Sequence, residues 1–579
     1  MVKKSGIKSN KPRVIVIGLD GATFKNLGPW MKKGSLPNLK FLIDNGASGE
    51  LESTIPPYSG PAWTSFMTGV NPGKHGIFGF VKPFVDKKYK INLVSSKDIK
   101  AKTIFEILSE QGKFSAVVNL PITYPPFKIN GCMVSCGLTT PSKDFTFTYP
   151  ENLFKKIQFD KSKYYLDVSP ESYADNEKSK FFTDLIKNTE ERKELSFKLM
   201  RKYDWDLFVL VFTGTDRVQH FYWHCIDPEH PKYNPVQAKK ILPLIVQYYQ
   251  KLDSVVGEFL KYMDADTSLI IMSDHGFGSM EKIVGFHEVL NQEGLSFYKD
   301  RSLRFVGVLF EFQRKIRGLL HEKSAVYRKT KNLLKTGSTK LKEILFKKDV
   351  YRRKLRKRLG GSDNYWQSIN WRKTSAYVGI SECMVNLNIK NREPEGIVSL
   401  NGEYEQNKKK IIHLMNQIYD FESKRWLSVK TYAKNEIYSG PYFYMAPDLF
   451  FEIENGRYIL RKSTRRKEPI IESSKRTGGH RKEGISICYG NKFKGGYSIK
   501  NAQIMDIAPT ILYLLGSTVP SYMDGKVLGN ALRDGVLQSK PIYFENCSGE
   551  RSEPLEKKEV YTDEERERVH KHLGDLGYL

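Results

Sequence analysis

At 579 residues, with 40% hydrophobic and 12% aromatic residues, the chain suits one large α/β unit with insertions and is too apolar for wholesale disorder. The opening MVKKSGIKSNKPR leads into VIVIGL, which is too short for a signal-peptide core, and no apolar run approaches the ~18 residues a membrane span needs. The net charge of +28 is concentrated between Arg301 and Gly360, where 20 Lys/Arg face 4 Asp/Glu, a local +16 that leaves +12 for the rest and argues against a generally nucleic-acid-binding surface.

The first half alternates strand-like and helical runs, as a parallel sheet with crossover helices does. Arg13–Leu19 reads as the first strand and ends in Asp20-Gly21. In YSGPAWTSFMTGVNPGKHGIFGF, Gly60-Pro61 opens an apolar helix over Ala62 to Met67 that Gly69 closes. Ser59 then falls at or just before a helix start, where free N–H groups and the helix dipole favour an anion. Further strands are predicted at Ser115–Asn119, Leu207–Phe212 and Ser268–Met272; the last two end in Thr213-Gly214-Thr215-Asp216 and Ser273-Asp274-His275-Gly276. Residues 301–366 change texture to a basic helical insertion. Strand texture returns in MVNLNI, PDLFFEI and ISICYG, followed by a helix in DIAPTILYLLG and a charged helix in YTDEERERVHKHLGDLGYL. The expected organisation is a catalytic core over 1–300, the insertion over 301–366, the second part of the core over 367–535, and a strand/helix tail over 536–579.

Ligand sites in open parallel sheets lie beyond the carboxyl ends of the strands. Asp216 and His220, four residues apart, share one face of a helical turn and can reach one ion. Asp274 and His275 stand side by side after a strand, Asp20 adds a carboxylate, and TGGHRKEGI supplies His480 behind glycines that permit close approach. Three carboxylates, three imidazoles and one serine hydroxyl suit two adjacent zinc-type ions better than magnesium, which prefers oxygen shells. His230, His287, His321, His413, His570 and His572 lack this context; His224 follows His220 closely in HFYWH. The six scattered cysteines read as reduced core residues, because CMVSC at Cys132 and Cys136 lacks the partner pair of a zinc knuckle.

With VIVIGLDGATF, SGPAWTSFMTGVNPGKHGIFGF, TGTDRVQHFYWH, IIMSDHGFG, GGHRKEGI and the terminal LGDLGYL in order, the chain resembles the alkaline phosphatase superfamily, in its type I phosphodiesterase/nucleotide pyrophosphatase branch. That resemblance implies an alkaline-phosphatase-like α/β fold around a mostly parallel sheet and two divalent ions, zinc or manganese. Asp216, His220 and His480 would bind one ion, and Asp20, Asp274, His275 and Ser59 the other. Ser59 takes the nucleophile position, sixteen residues before His75 of the HGI element, while Thr64 and Ser65 fall inside the helix. Two departures qualify the likeness. Ala62 stands where nucleotide pyrophosphatases carry an asparagine that contacts the phosphoryl group. Trp63 replaces the arginine of a sulfatase C/S-x-P-x-R motif, and Gly21 replaces its second aspartate.

The implied function is metal-dependent hydrolysis of a small phosphate ester through a phosphoserine. Phosphoryl transfer to an alcohol at the same site is the alternative, and a metal-stabilised scaffold working through its basic arm is the alternative of another class. FVGVLFEFQRKIRGLL within the insertion is amphipathic and basic, which makes an anionic membrane surface or polyanion its conceivable partner, against a plain solvated face. No specific nucleic-acid motif appears. The expected location is cytoplasmic, with peripheral membrane contact if the arm engages lipid.

Overall fold

The computed structural model describes residues 11–299, 366–461, 470–551 and 560–578, less positions 85, 86, 88, 143, 380, 473, 474 and 577. The basic segment 301–365, with its membrane or polyanion expectation and His321, lies outside the described residues. Trp366, placed at its edge by sequence, is buried in an aromatic cluster with Phe84, Tyr89, Trp371 and Tyr377.

The centre of the molecule is a nine-stranded sheet. Its first seven strands in chain order are β1 (Arg13–Leu19), β2 (Ala47–Glu52), β3 (Ser115–Leu120), β4 (Gly131–Ser135), β5 (Thr148–Tyr149), β6 (Leu207–Phe212) and β7 (Thr267–Met272). Across the sheet the order is Tyr497–Gln503, β2, Glu483–Tyr489, β7, β1, β6, β3, β4, β5. Only Glu483–Tyr489 and β5 run against the others, so the fold is the expected α/β arrangement on a mostly parallel sheet. β1, β3, β6 and β7 are buried at every residue. This explains their near-continuous apolar runs: helices cover both faces and no side needs polar residues.

The register sets the site. β1 lies between β6 and β7, with Leu19 opposite Phe212 and Gly18 opposite Met272, so the three strands deliver their next residues to one edge. The helix Ser59–Thr68 packs on this edge, starting two residues before Pro61 and closed by Gly69. Its first helical bond is donated by the Ala62 N–H to Tyr58, so Pro61 falls in the turn whose N–H groups have no helical acceptor and costs nothing there. A Cβ on Gly18 would lie 2.5 Å from Trp63, so the absent side chain lets this helix seat on β1.

Within 367–535, residues 376–472 contribute to a second, seven-stranded sheet, and the central sheet resumes only at Glu483. The second sheet also takes Lys282–Gly285 from the first half, in the order Ala376–Val378, Met384–Leu387, Leu449–Ile453, Tyr458–Arg461, Lys282–Gly285, Ile470–Glu472, with Val429–Ala433 beside Leu449–Ile453. It has its own apolar core, centred on Val385, Leu387, Ile411, Leu449 and Leu460. No described helix is long and apolar enough to cross a membrane.

His75 braces the Ser59–Thr68 helix. Its Nδ1 accepts from the Ile77 N–H at 3.1 Å, so the ring proton is on Nε2, 3.0 Å from Ser65 Oγ. Burial pulls the ring from 6.5 down to about 3. As pH falls through 6.5 the unfolded chain gains a proton that the folded chain refuses until about 3, so the contribution of His75 to stability is complete above that window and lost within it. In urea unfolding between about pH 6 and 4, His75→Gln should therefore show a fall in stability shallower by up to about 1.4 kcal/mol per pH unit than the parent. Equal slopes would show that the ring titrates normally in the fold.

Candidate metal centre

Every candidate predicted from sequence reaches one buried place. Asp20 follows β1, Asp216 and His220 lie on the helix Gly214–Ile226 behind β6, and Asp274-His275 follow β7. His480 arrives on the strand Gly478–Arg481, which pairs antiparallel with Gly276–Ser279 and so stacks its ring on His275 at 3.7 Å. A Cβ on Gly478 would lie 2.2 Å from the Gln219 carbonyl, so only glycine lets this ribbon approach the helix that carries His220.

The side chains form two sets, Asp216–His220–His480 and Asp20–Asp274–His275, with the ligand atoms of each within 4.8 Å of one another. In the first, His220 Nε2 and His480 Nε2 lie 3.2 and 3.3 Å from Asp216 Oδ1 and 2.9 Å from each other. In the second, His275 Nε2 lies 3.2 Å from Asp274 Oδ2 and 3.7 Å from Asp20 Oδ1. Ser59 Oγ is 3.2 Å from the same nitrogen, which joins the helix start to the second set. Thr64 and Ser65 point elsewhere: Thr64 donates to the Gly60 carbonyl and Ser65 meets His75.

The protonation pattern fits a bound cation. The three imidazoles place Nδ1 on backbone carbonyls: His220 on Gly478 at 3.0 Å, His275 on Gly276 at 3.1 Å and His480 on Pro57 at 2.9 Å. A carbonyl only accepts, so these bonds put the proton on Nδ1 and leave the Nε2 lone pairs facing the carboxylates. At His220, Arg476 also approaches Nδ1 at 2.9 Å; a guanidinium only donates, so it competes with the carbonyl, and the carbonyl bond is the one compatible with a ligating Nε2. Arg476 has its own acceptor in Glu382 at 3.0 Å.

The carboxylates mirror this arrangement, each tied by one oxygen. Asp20 Oδ2 accepts from Trp63 Nε1 at 3.4 Å, Asp274 Oδ1 from the Gly21 N–H at 3.0 Å, and Asp216 Oδ2 from Arg217 at 2.5 Å and Tyr578 at 3.0 Å. The other oxygens, Asp20 Oδ1, Asp216 Oδ1 and Asp274 Oδ2, are buried without a hydrogen bond and face the imidazoles. Unbonded buried carboxylate oxygens are costly. Three of them beside three lone pairs form a donor set for divalent cations of the zinc type.

Burial and neighbouring charges shift these groups in different directions. Burial, then Asp274 and Asp216, push Asp20 well above the usual carboxylate range; burial also raises Asp274. For Asp216 burial acts upward too, but His220, His480 and Arg217 outweigh it and hold the carboxyl well below that range. Burial, then Arg476, lowers His220; burial, then His275, holds His480 well below the ordinary imidazole value.

Of the other histidines, His224 meets Thr477 at 3.0 Å and His572 meets Asp167 at 3.2 Å, and neither belongs to a ligand set. Cys132 and Cys136 are free and buried, and burial pushes both thiols up to about 12. Arg217, Arg476 and Tyr578 line the site without having been singled out from sequence. Arg217 had a signal, a cation beside Asp216 where a helix enters the core; Tyr578 had none beyond the motif that contains it.

The sequence profile of the type I phosphodiesterase/nucleotide pyrophosphatase family matches residues 14–382, more than half of the chain. No curated protein matches it. Among solved structures, human ectonucleotide pyrophosphatase/phosphodiesterase 5 is similar at 13% identity, over 90% of this chain and 100% of that one, with a TM-score of 0.49. Phosphonoacetate hydrolase from Sinorhizobium meliloti 1021, in complex with phosphonoformate, is similar at 14% identity, over 89% and 98%, with a TM-score of 0.49. On the profile match, the chain belongs to the type I phosphodiesterase/nucleotide pyrophosphatase family and is a phosphoester hydrolase.

Proposed function

We propose that the protein hydrolyses a small phosphoric ester in two displacements at Ser59, with one divalent ion held by Asp216, His220 and His480 and a second by Asp20, Asp274, His275 and Ser59. The observation that carries this is the convergence of three unbonded carboxylate oxygens and three imidazole Nε2 atoms beside one serine hydroxyl. The donor set, with three imidazoles among its seven groups, favours zinc, with manganese next. Bound ions would supply Lewis-acid charge, acidifying the hydroxyl and neutralising the leaving oxygen.

The chain's own residues account for the rest. Ser59 is the first residue of its helix, so the Gly60 N–H and the positive end of the helix dipole face an incoming phosphoryl oxygen. The Ser59 O–H points within 3.2 Å of His275 Nε2, which fixes the oxygen at the edge of the second set. Attack forms the Oγ–phosphorus bond and breaks the bond to the leaving alcohol, which departs with a proton. Water then attacks the phosphoserine, releasing phosphate or its monoester and restoring the hydroxyl. The adjoining cavity, lined by Tyr58, Phe80, Glu382, Arg476, His480 and Tyr578 among others, has a volume of about 10 Å³, room for one water. With Ala62 on the helix, that position offers the phosphoryl group no amide, so the proposal is for a phosphoric ester without a committed nucleotide preference.

Ser59→Ala should lower turnover of a chromogenic phosphodiester by about 10³-fold or more while both ions are retained. In the parent, quenched turnover followed by peptide mass spectrometry should find the phosphoryl group on Ser59. Undiminished activity in the variant would remove Ser59 from the nucleophile position.

Chelation should abolish activity, and zinc or manganese should restore it, because the ligands bind only when deprotonated. His480→Ala should retain one tightly held ion where the parent holds two. Elemental analysis finding two in the variant would contradict the Asp216 set.

A further inference from the structure

Tyr578 follows the helix Asp563–Asp575, far in sequence from every candidate ligand, yet it is buried in the centre. Its hydroxyl donates to Asp216 Oδ2 at 3.0 Å and lies 3.5 Å from Ser59 Oγ. Its ring packs on Phe80 at 4.9 Å and faces His480 at 5.9 Å. Packing alone would be served by phenylalanine; a buried hydroxyl is costly unless it has a partner, and here the partner is a candidate metal ligand.

Asp216 Oδ2 also accepts from Arg217 Nη1 at 2.5 Å. Arg217 is wholly buried, and its other nitrogen binds Asp167 at 3.0 Å. Asp167 in turn meets His572, on the helix that leads to Tyr578, at 3.2 Å. One oxygen of Asp216 is thus held by two donors, and both are tied to the same C-terminal helix and segment. The other oxygen, Oδ1, has no hydrogen bond and faces His220 and His480. Outer hydrogen-bond partners of this kind orient ligands and tune ion affinity.

We infer that Tyr578 is a positioning residue of the metal centre: with Arg217 it fixes Asp216 Oδ2, so that Oδ1 alone is presented to the ion shared with His220 and His480. Tyr578 is then a working part of the site. Without the hydroxyl, Oδ2 keeps one donor, the carboxylate can rotate, and the Asp216 set loses its preset geometry. The inference rests on the two-ion proposal.

The test is Tyr578→Phe in the full chain, which keeps the ring and its packing. Zinc affinities are measured by chelator competition, and the visible spectrum is recorded after cobalt loading. The Asp216 site should weaken by about 10- to 100-fold with an altered cobalt spectrum, while the Asp20–Asp274–His275 site keeps the parent's affinity. Parental affinity at both sites would overturn the inference, and so would equal weakening of both, which a general loosening produces. A parent protein that binds no ion at the Asp216 set would overturn the two-ion proposal and this inference together; that result is read from the parent alone.

Discussion

Everything at the site depends on β1 being paired in parallel between β6 and β7. Strands continuing in one direction release their next residues at one edge, so Asp20, the turn before Asp216, and Asp274-His275 converge without help from loop conformation. The pairing is rigid because all three strands are buried on both faces. A slip of one residue would turn Asp20 to the opposite face of the sheet. Three further elements reach this fixed frame: the Ser59–Thr68 helix, the ribbon carrying His480, and the segment carrying Tyr578. The helix meets β1 at Gly18 and Trp63, the ribbon meets the His220 helix at Gly478 and Gln219, and the Tyr578 ring packs on Phe80.

Such convergence is electrostatically expensive. Three carboxylates are buried within one site, and the cations beside them are unevenly placed. His220, His480 and Arg217 hold the Asp216 carboxyl well below the usual range against its burial, whereas burial raises Asp20 and Asp274. The Asp216 carboxylate has two protein donors on one oxygen, Arg217 and Tyr578, whereas Asp20 and Asp274 each have one. This asymmetry gives the two proposed sites different physical characters: the Asp216 set is the more fully preset by hydrogen bonds.

Much of this was legible in the sequence because the signal and the structure share a cause. Strands buried on both faces read as unbroken apolar runs, and β1 and β6 have the boundaries their sequences suggest. Polar residues ending such runs mark the ligand edge, and four-residue spacing puts Asp216 and His220 on one helix face. The second sheet was not legible as a sheet. Its strands are mostly three to five residues long, and apolar alternation tells which way a side chain faces but not which strand lies beside it. That Lys282–Gly285 leaves the first half to pair with Tyr458–Arg461 is a long-range choice with no local mark. Arg217 escaped notice because residues adjacent on a helix face different directions; at the helix start its long side chain nonetheless reaches back to Asp216. The bond from Tyr578 to Asp216 spans 362 positions, and no spacing rule covers such a contact.

The family match has a boundary that falls inside the site. Residues 14–382 include Asp20, Ser59, Asp216, His220, Asp274 and His275, but His480, Arg476 and Tyr578 lie beyond. The site residues within the match lie beyond the ends of β1, β6 and β7 and at the start of the Ser59–Thr68 helix. The parts beyond it form much of the cavity wall: Arg476 on Glu382 at the margin of the second sheet, His480 on its ribbon, and Tyr578 behind the C-terminal helix. Phe80 and Tyr58 face them from the Ser59 side. Arg476 bonds Glu382 at the margin of the second sheet and Tyr578 follows the C-terminal helix, so this side of the cavity wall is positioned by elements other than the strands that lead into Asp20, Asp216 and Asp274.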